Sequence, residues 1–491
     1  MKDRIAKYLS SEHHFWWTVT IIPGGYSIIY LYLKNYTLVN SWEQLTSFIT
    51  FFVLLPTLLF LLLDHLFKKK RPERRSQLYW SFLLINFSII FSLSIYLGWR
   101  WKGLILIGLI AIVSSFFVAR HYKKIVLLLT IMCAVALCQL VFFISTAVTS
   151  SKDWIQPMAF ESQVFQKKPN IYLIQPDGFV GEKAANNDIY QLNNEVFYKT
   201  MQELGFEFNP SFRSNYPTTL SSNSTLFTAQ HHYLHYGEMN NELLQARDLI
   251  LGDNPVLQTF KNNGYETNLI LEHSYLMLNY PEVSYDTNNV NNSDLSYLLP
   301  NYFLGKDYKG DLEAQILRAN EKPQFYFVEV LHPGHISFRE DREDAVEYET
   351  NKYKEEIKST SSQLIDMIQF IETNDPKAII LIVADHGGFV GYTYTGAAYT
   401  LLEGSLSLKE SIFSALYTIK APKDFEPYRK TVQSTIGVFP ALFDYLSDTS
   451  IKESKSFDNS SYLLITTEGK KELYRYFDSD GNSVIEKVET P

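Results

Sequence analysis

The chain has 491 residues, 46% of them hydrophobic, with a formal charge of −9 and a mean hydropathy of −0.10. Those averages conceal two parts: residues 1–150 carry 15 Lys and Arg against 5 Asp and Glu, and the other 341 carry 29 against 48. A basic, apolar third joined to an acidic, polar remainder excludes a wholly soluble protein, and the acidic part lacks the positive footprint a general nucleic-acid binder needs.

A bilayer crossing takes roughly 17–25 apolar residues. Five stretches qualify, at about 15–34, 47–67, 79–98, 103–119 and 125–148. Pro23, Gly24 and Gly25 interrupt the first, which lipid tolerates where neighbouring helices cover the backbone. Four further segments follow it, so it is not read as a cleavable signal peptide. Basic residues gather in the N-terminal tail (Lys2, Arg4, Lys7), in the second break from Lys68 to Arg75, and in the fourth (Arg120, Lys123, Lys124). The first and third breaks offer only Lys34, then Arg100 and Lys102. The positive-inside rule therefore predicts an integral cell (inner) membrane protein whose N-terminus is inside and whose chain beyond about residue 150 is extracytoplasmic. An even number of helices with a cytoplasmic domain is the alternative. No run of Asp, Glu or His threads the apolar segments, as a transporter would leave. Cys133 and Cys138 both fall in an apolar stretch, so the later part has neither a disulfide nor a thiolate metal site. The expected organisation is a transmembrane bundle of about five helices over 1–150, a polar connector over 151–168, a catalytic domain over 169–447 and a β appendage over 448–491.

Beyond the connector, Asn170–Gln175, Thr267–Glu272, Gln324–Val330 and Ala378–Ala384 are continuous apolar runs of strand length. Such runs suit strands buried on both faces of a parallel sheet. Between the last two, Tyr353, Ile357, Leu364, Ile368 and Ile371 recur at helical spacing and predict a helix over about 344–373. The alternation predicts an α/β sandwich with a mostly parallel central sheet. Glu-Gly and Asp-Gly turns between strand-like runs near the end predict a small C-terminal antiparallel sheet.

Ligands of open α/β sheets gather beyond the carboxyl ends of the strands. There lie Pro176-Asp177-Gly178, Glu272-His273, His332-Pro333-Gly334-His335 and Asp385-His386-Gly387-Gly388. Three of these four include a histidine, although residues 151–491 hold only seven. Asp177-Gly178 alone reads as a turn as readily as a ligand. Asp385 and His386 are an adjacent carboxylate and imidazole able to face one divalent cation, and that mixed oxygen and nitrogen set suits zinc or manganese better than calcium. The segment Arg213–Thr228 opens with turn chemistry and then places hydroxyls at a helix start, where an anion is favoured or a threonine simply caps. His231, His232 and His235 follow it, either as a second ion site or as part of an aromatic surface with Tyr233 and Tyr236. Glu272-His273 reads as a satisfied strand-end pair, with lining of the site as the alternative.

The segments NIYLIQPDGF, SNYPTTLSSNST, the strand leading to LHPGH, and IILIVADHGG, in this order, resemble the alkaline phosphatase superfamily in its sulfatase-like branch. With the preceding helices, the architecture resembles lipoteichoic acid synthases and lipid A phosphoethanolamine transferases. The resemblance covers about residues 169–447. It implies Asp177, Asp385 and His386 as metal ligands, Thr219 as nucleophile and further ligand, and His332 as the histidine meeting the transferred group or leaving oxygen. Reading LHPGH against a nucleotide pyrophosphatase motif selects His335 instead, with Leu331 where that motif has Asp. Arg213, Asn215 and His335 are the expected substrate contacts. Those transferases usually carry Glu where this chain has Asp177. No histidine follows His386, so one divalent ion (Zn or Mn) is expected. Thr219 cannot become the formylglycine that sulfatases derive from Cys or Ser. The implied activity is a membrane-anchored phosphotransferase. It would pass a phosphoglycerol or phosphoethanolamine type head group to a surface phospholipid or glycan through a phospho-threonine, with no nucleic-acid partner. A hydrolase using water as acceptor and a catalytically dead scaffolding module are the alternatives.

Overall fold

The computed structural model describes residues 2–96, 100–149, 154–233, 243–295, 305–318, 320–337, 343–400, 404–450 and 457–489. The chain separates into two compact units, the first centred on Met1–Ser150 and the second on the chain from Ser151 onward.

In the first unit the helices are Ile21–Asn35, Trp42–Ile49 continuing through a π turn (Thr50–Leu54) into Leu55–Lys70, then Arg75–Tyr96, Trp101–Val118 and Tyr122–Thr149. Among the described residues, three stretches are long and apolar enough to cross a membrane: Trp42–Lys70, Pro72–Ile95 and Trp101–Ser145. The last spans 45 residues and is divided by a 3-10 turn at Ala119–His121. At about 1.5 Å per residue it exceeds twice a ~30 Å hydrocarbon core. The stretch expected at 15–34 forms a helix of only 15 residues. Its Gly24 is needed for close approach, because a Cβ there would lie 2.3 Å from the Phe52 carbonyl oxygen of the π turn. Asp64, buried near a helix end, is held by the Arg75 guanidinium through two bonds of 2.9 and 3.0 Å.

The second unit is built on a seven-stranded sheet: β1 (Ile171–Pro176), β2 (Glu207–Phe208), β3 (Glu266–Leu271), β4 (Thr287–Asn288), β5 (Gln324–Val330), β6 (Ile379–Val383) and β7 (Tyr417–Lys420), in the order β2-β7-β6-β1-β5-β3-β4. From β6 to β4 all neighbours are parallel, and β7 and β2 run antiparallel on one edge. The four apolar runs are β1, β3, β5 and β6. Every residue of β1, β5 and β6 is buried, which is why those runs show no alternation. The edge strands β2 and β4, and β7 beside β2, are short and partly exposed, and carry no comparable apolar run. The helix Ala345–Asn374 buries Tyr353, Ile357, Leu364, Ile368 and Ile371 on one face, as their spacing predicts. A second, antiparallel sheet holds β8 (Ser461–Thr467), β9 (Lys470–Phe477) and β10 (Ser483–Lys487), with β8 and β9 joined at Glu468–Gly469.

Candidate metal centre and active site

The strands β6, β1 and β5 are adjacent and parallel, so their carboxyl ends deliver three loops to one place. Asp177 N–H donates to Val330 O (2.8 Å) and Gly334 N–H to Asp177 O (2.9 Å), which stitches the β1 and β5 loops together. Gly178 turns the chain at φ +64°, and a Cβ there would lie 2.4 Å from the Gly334 carbonyl oxygen. No side chain fits that approach. The Gly178 and His386 N–H groups both donate to Asp385 Oδ1, each at 3.0 Å.

The result is a buried group of Asp177, Asp385 and His386 whose ligand atoms all lie within 4.8 Å of one another. His386 Nδ1–H donates to Gly387 O (2.8 Å), which turns Nε2 toward Asp177 Oδ1 and Asp385 Oδ2, each 3.3 Å away. Asp385 Oδ2 is buried with no hydrogen-bond partner. An orphaned carboxylate oxygen beside an imidazole lone pair is a donor set that fits a divalent cation. Burial first, then the neighbouring charge of Asp385, pushes the Asp177 carboxyl well above the usual range. Glu329, fully buried in β5, is pushed up in the same way, and neither of its carboxylate oxygens has a hydrogen bond. Its signal was legible, since a carboxylate inside the run QFYFVEV cannot reach water if both faces of the strand are covered.

Thr219 opens the helix Thr219–Thr228. The N-cap is its neighbour Thr218, whose hydroxyl accepts from Ser221 N–H. The capping role is thereby filled, and Thr219 Oγ1 donates instead to Asp177 Oδ1 at 3.3 Å. One turn on, Asn223 exchanges two side-chain amide bonds with Gln175 of β1, at 2.6 and 2.7 Å.

His332 is half-exposed on the β5 loop. Its Nδ1–H donates to Glu272 Oε1 at 2.7 Å, and Glu272 Oε2 accepts from Leu331 N–H at 2.6 Å. The hydrogen bond to Glu272 raises the imidazole's pKa against the opposing effect of burial. Glu272 is thus the orienting partner of His332, a more specific role than lining the site. His335 lies beside His386, ring centroids 5.7 Å apart, and burial lowers its pKa to about 4. A cleft of about 170 Å³ is lined by His332, His335, Lys352 and Glu356.

Two expected contacts lie outside this group. Arg213 is buried, with Nη2 donating to the carbonyl oxygens of Asn459 (3.1 Å), Asp478 (2.8 Å) and Ser479 (3.2 Å) around the antiparallel sheet. Asn215 is also buried, donating to Ser434 Oγ and Ser460 O and accepting from Ile436 N–H. His231 and His232 join Tyr216, Tyr233 and Tyr462 in an aromatic cluster, with His231 Nε2 donating to Asp458 O and His232 Nε2 to Ser221 O. His235 and Tyr236 lie outside the described residues.

The family model described as Sulfatase matches residues 169–448. No curated protein sequence matches the chain. Similar solved structures include the C-terminal periplasmic domain of EcEptC from Escherichia coli in complex with Zn. It is 10% identical, with a TM-score of 0.43 over 66% of this chain and 97% of that one. The integral membrane lipooligosaccharide phosphoethanolamine transferase A (EptA) from Neisseria meningitidis is 14% identical, TM-score 0.42, over 79% of each chain. The lipoteichoic acid synthase LtaP from Listeria monocytogenes is 13% identical, TM-score 0.38, over 66% of this chain and 90% of that one.

Proposed function

This chain belongs to the sulfatase family, and from that premise we propose that it is a membrane-anchored phosphotransferase. It moves a phosphate-linked head group, of phosphoglycerol or phosphoethanolamine type, to a lipid or glycan hydroxyl outside the cell membrane. The observation that carries this reading is the convergence of a threonine hydroxyl on a buried Asp177, Asp385 and His386. Thr219 cannot supply the formylglycine of sulfate-ester hydrolysis, and a phosphoryl acceptor is what its hydroxyl can be. The basic breaks on one side of the helices support an extracytoplasmic domain.

Asp177, Asp385, His386 and Thr219 would hold one divalent ion, zinc or manganese. When bound it would lower the pKa of the Thr219 hydroxyl and offset charge on the phosphoryl oxygens. Thr219 Oγ1, having lost its proton to solvent, attacks phosphorus, and the bond from phosphorus to the donor alkoxide breaks. His332, whose pKa the bond to Glu272 raises, gives its proton to that alkoxide, leaving a phosphodiester on Thr219. In the second half the acceptor hydroxyl returns a proton to His332 and attacks phosphorus, which releases Thr219. Water in place of that hydroxyl would make the same enzyme a hydrolase.

The test uses the full chain in detergent with a phospholipid donor, wild type against Thr219→Ala. The expected result is a head-group adduct on the Thr219 peptide by mass spectrometry, and loss of donor cleavage in the variant. Unchanged cleavage by a folded Thr219→Ala protein would overturn the assignment. Analysis of envelope lipids and glycans in a deletion strain then identifies the acceptor, and free head group as the sole product identifies water.

A further inference from the structure

A cavity of about 430 Å³ lies inside the first unit. It is within the size range of pockets that take small ligands. Its origin is geometric. The helices Arg75–Tyr96 and Trp101–Val118 are tied together, Trp80 Nε1–H to Ser114 Oγ (2.8 Å) and Ser81 Oγ–H to Ala111 O (3.2 Å). The helix Leu55–Lys70 is joined to the first of them by the short 3-10 turn Pro72–Arg74. A gap opens where Leu66 and Phe67 face Ile112, Ser115 and Phe116 across Leu78.

The mouth of that gap is basic. Lys70, Arg71 and Arg74 line it, with Gln77 and Ser81 deeper. The neighbouring cations Lys68 and Arg75 are paired with Asp64. Lys70, Arg71 and Arg74 make no side-chain ion pair or hydrogen bond among the described residues, although Glu73 lies between them in sequence. Three unpaired cations around an apolar slot form an amphipathic site. A free anion would satisfy the mouth and leave the slot hydrated, and a neutral lipid would leave the cations bare.

We propose that this cavity is a binding site for one anionic phospholipid of the surrounding leaflet. Its phosphate sits among Lys70, Arg71 and Arg74, its head-group hydroxyls reach Gln77 and Ser81, and an acyl chain lies against Leu66, Ile112 and Phe116. Basic pockets between membrane helices recognise lipids in this way, each surface cation adding to the attraction for an anionic head group. Nothing in the chemistry proposed above involves these residues, so this lipid is a structural or regulatory ligand of the membrane unit.

The experiment is native mass spectrometry of the delipidated full chain, titrated with phosphatidylglycerol or phosphatidylcholine of identical acyl chains. Phosphatidylglycerol should bind at least about ten-fold more tightly. A Lys70→Gln, Arg71→Gln, Arg74→Gln variant should lose that preference. A charge-matched control, Lys69→Gln, Arg120→Gln, Lys124→Gln, should keep it. Ile112→Trp fills the slot without changing charge and should weaken phosphatidylglycerol binding by a similar factor; it decides the matter if the triple variant fails to fold. Equal binding of the two lipids, an equal loss in the control, or unchanged binding by Ile112→Trp would each overturn the proposal. Full displacement of the lipid by glycerol 3-phosphate would also overturn it, by showing that the site reads only the phosphate.

Discussion

The reciprocal amide pair Gln175–Asn223 joins the strand that ends in Asp177 to the helix that begins with Thr219. Both side chains are buried, and their two bonds measure 2.6 and 2.7 Å. Asn223 stands four residues after Thr219, on the same helical face. Asn223→Ala removes two hydrogen bonds, each contributing about 1 kcal/mol net, and leaves the buried Gln175 amide unpaired at a further ~1–3 kcal/mol. The helix N-terminus should therefore open more easily by about 3–5 kcal/mol. Gln175→Ala should cost about the same, and the double variant little more than either single, because the second substitution removes the stranded group. Hydrogen exchange of the full chain reads the opening directly. Amides of 219–228 that exchange through this opening should do so roughly 100- to 4,000-fold faster in Asn223→Ala. Donor cleavage should fall with it, since a displacement of about 1 Å at a reacting atom can cost roughly 100-fold. Exchange within about three-fold of wild type, or single effects that simply add in the double variant, would refute the claim that this pair holds the nucleophile.

Four other perturbations separate the roles assigned here. Glu272→Gln removes the carboxylate that raises the His332 pKa. Because a raised imidazole pKa keeps the protonated form present to higher pH, the variant's high-pH limb of kcat/KM should move to lower pH; an unmoved limb would detach His332 from proton delivery. Gly178→Ala forces a Cβ to 2.4 Å from the Gly334 carbonyl oxygen at φ +64°, so it should destabilise the fold by about 2 kcal/mol or more and weaken metal binding. Thermal scans with and without zinc or a chelator check both effects. In the wild type an ion at ~100 times its Kd should add about 2.7 kcal/mol. That gain should grow from acid to neutral pH, because burial and Asp385 hold the Asp177 carboxyl protonated above its usual range and the ion must displace that proton. Gains that are flat with pH, or absent, would argue against Asp177 as a ligand. Arg213→Ala loses three carbonyl partners and should destabilise the C-terminal sheet by about 2–4 kcal/mol with KM unchanged. A raised KM with unchanged stability would return Arg213 to the substrate.

Legibility followed chain distance. The ends of β1, β5 and β6 were readable because an apolar run with no alternation marks a doubly covered strand, and such strands aim their carboxyl ends at ligands. Arg213 and Asn215 were expected near the site from their proximity to Thr219 in sequence, and the structure bonds both to residues around the C-terminal sheet. Six residues of extended chain can span about 20 Å, so standing just before Thr219 did not bring Arg213 to it. The partner of His332 was hidden for the opposite reason. Glu272 lies 60 residues away, and only the parallel register of β3 on β5, pairing Leu271 with Glu329, carries it to the β5 loop. The first membrane stretch was overread in length, since composition runs continuously through residues 15–34 while the α-helix itself starts only at Ile21.

Two of the site histidines, His332 and His386, are turned opposite ways, and that orientation separates their proposed roles. His332 directs Nδ1 to a carboxylate and leaves Nε2 outward, the arrangement in which an acidic partner raises basicity and the far nitrogen exchanges protons. His386 directs Nδ1 to a backbone carbonyl and Nε2 inward, toward two buried carboxylates. A general base set so would have its proton-accepting nitrogen aimed at anions that have no proton to give once ionised. A ligand set so offers its lone pair where negative charge already gathers. With Glu329 adding a third buried carboxylate nearby, ionised side chains repel one another in a region of low dielectric. A cation among Asp177, Asp385 and His386 relieves that repulsion and gives the Asp385 Oδ2 lone pair a partner. On this geometry the proposed metal rests on electrostatics as well as on the family, and of these two histidines His332 has the geometry of the proposed acid and base.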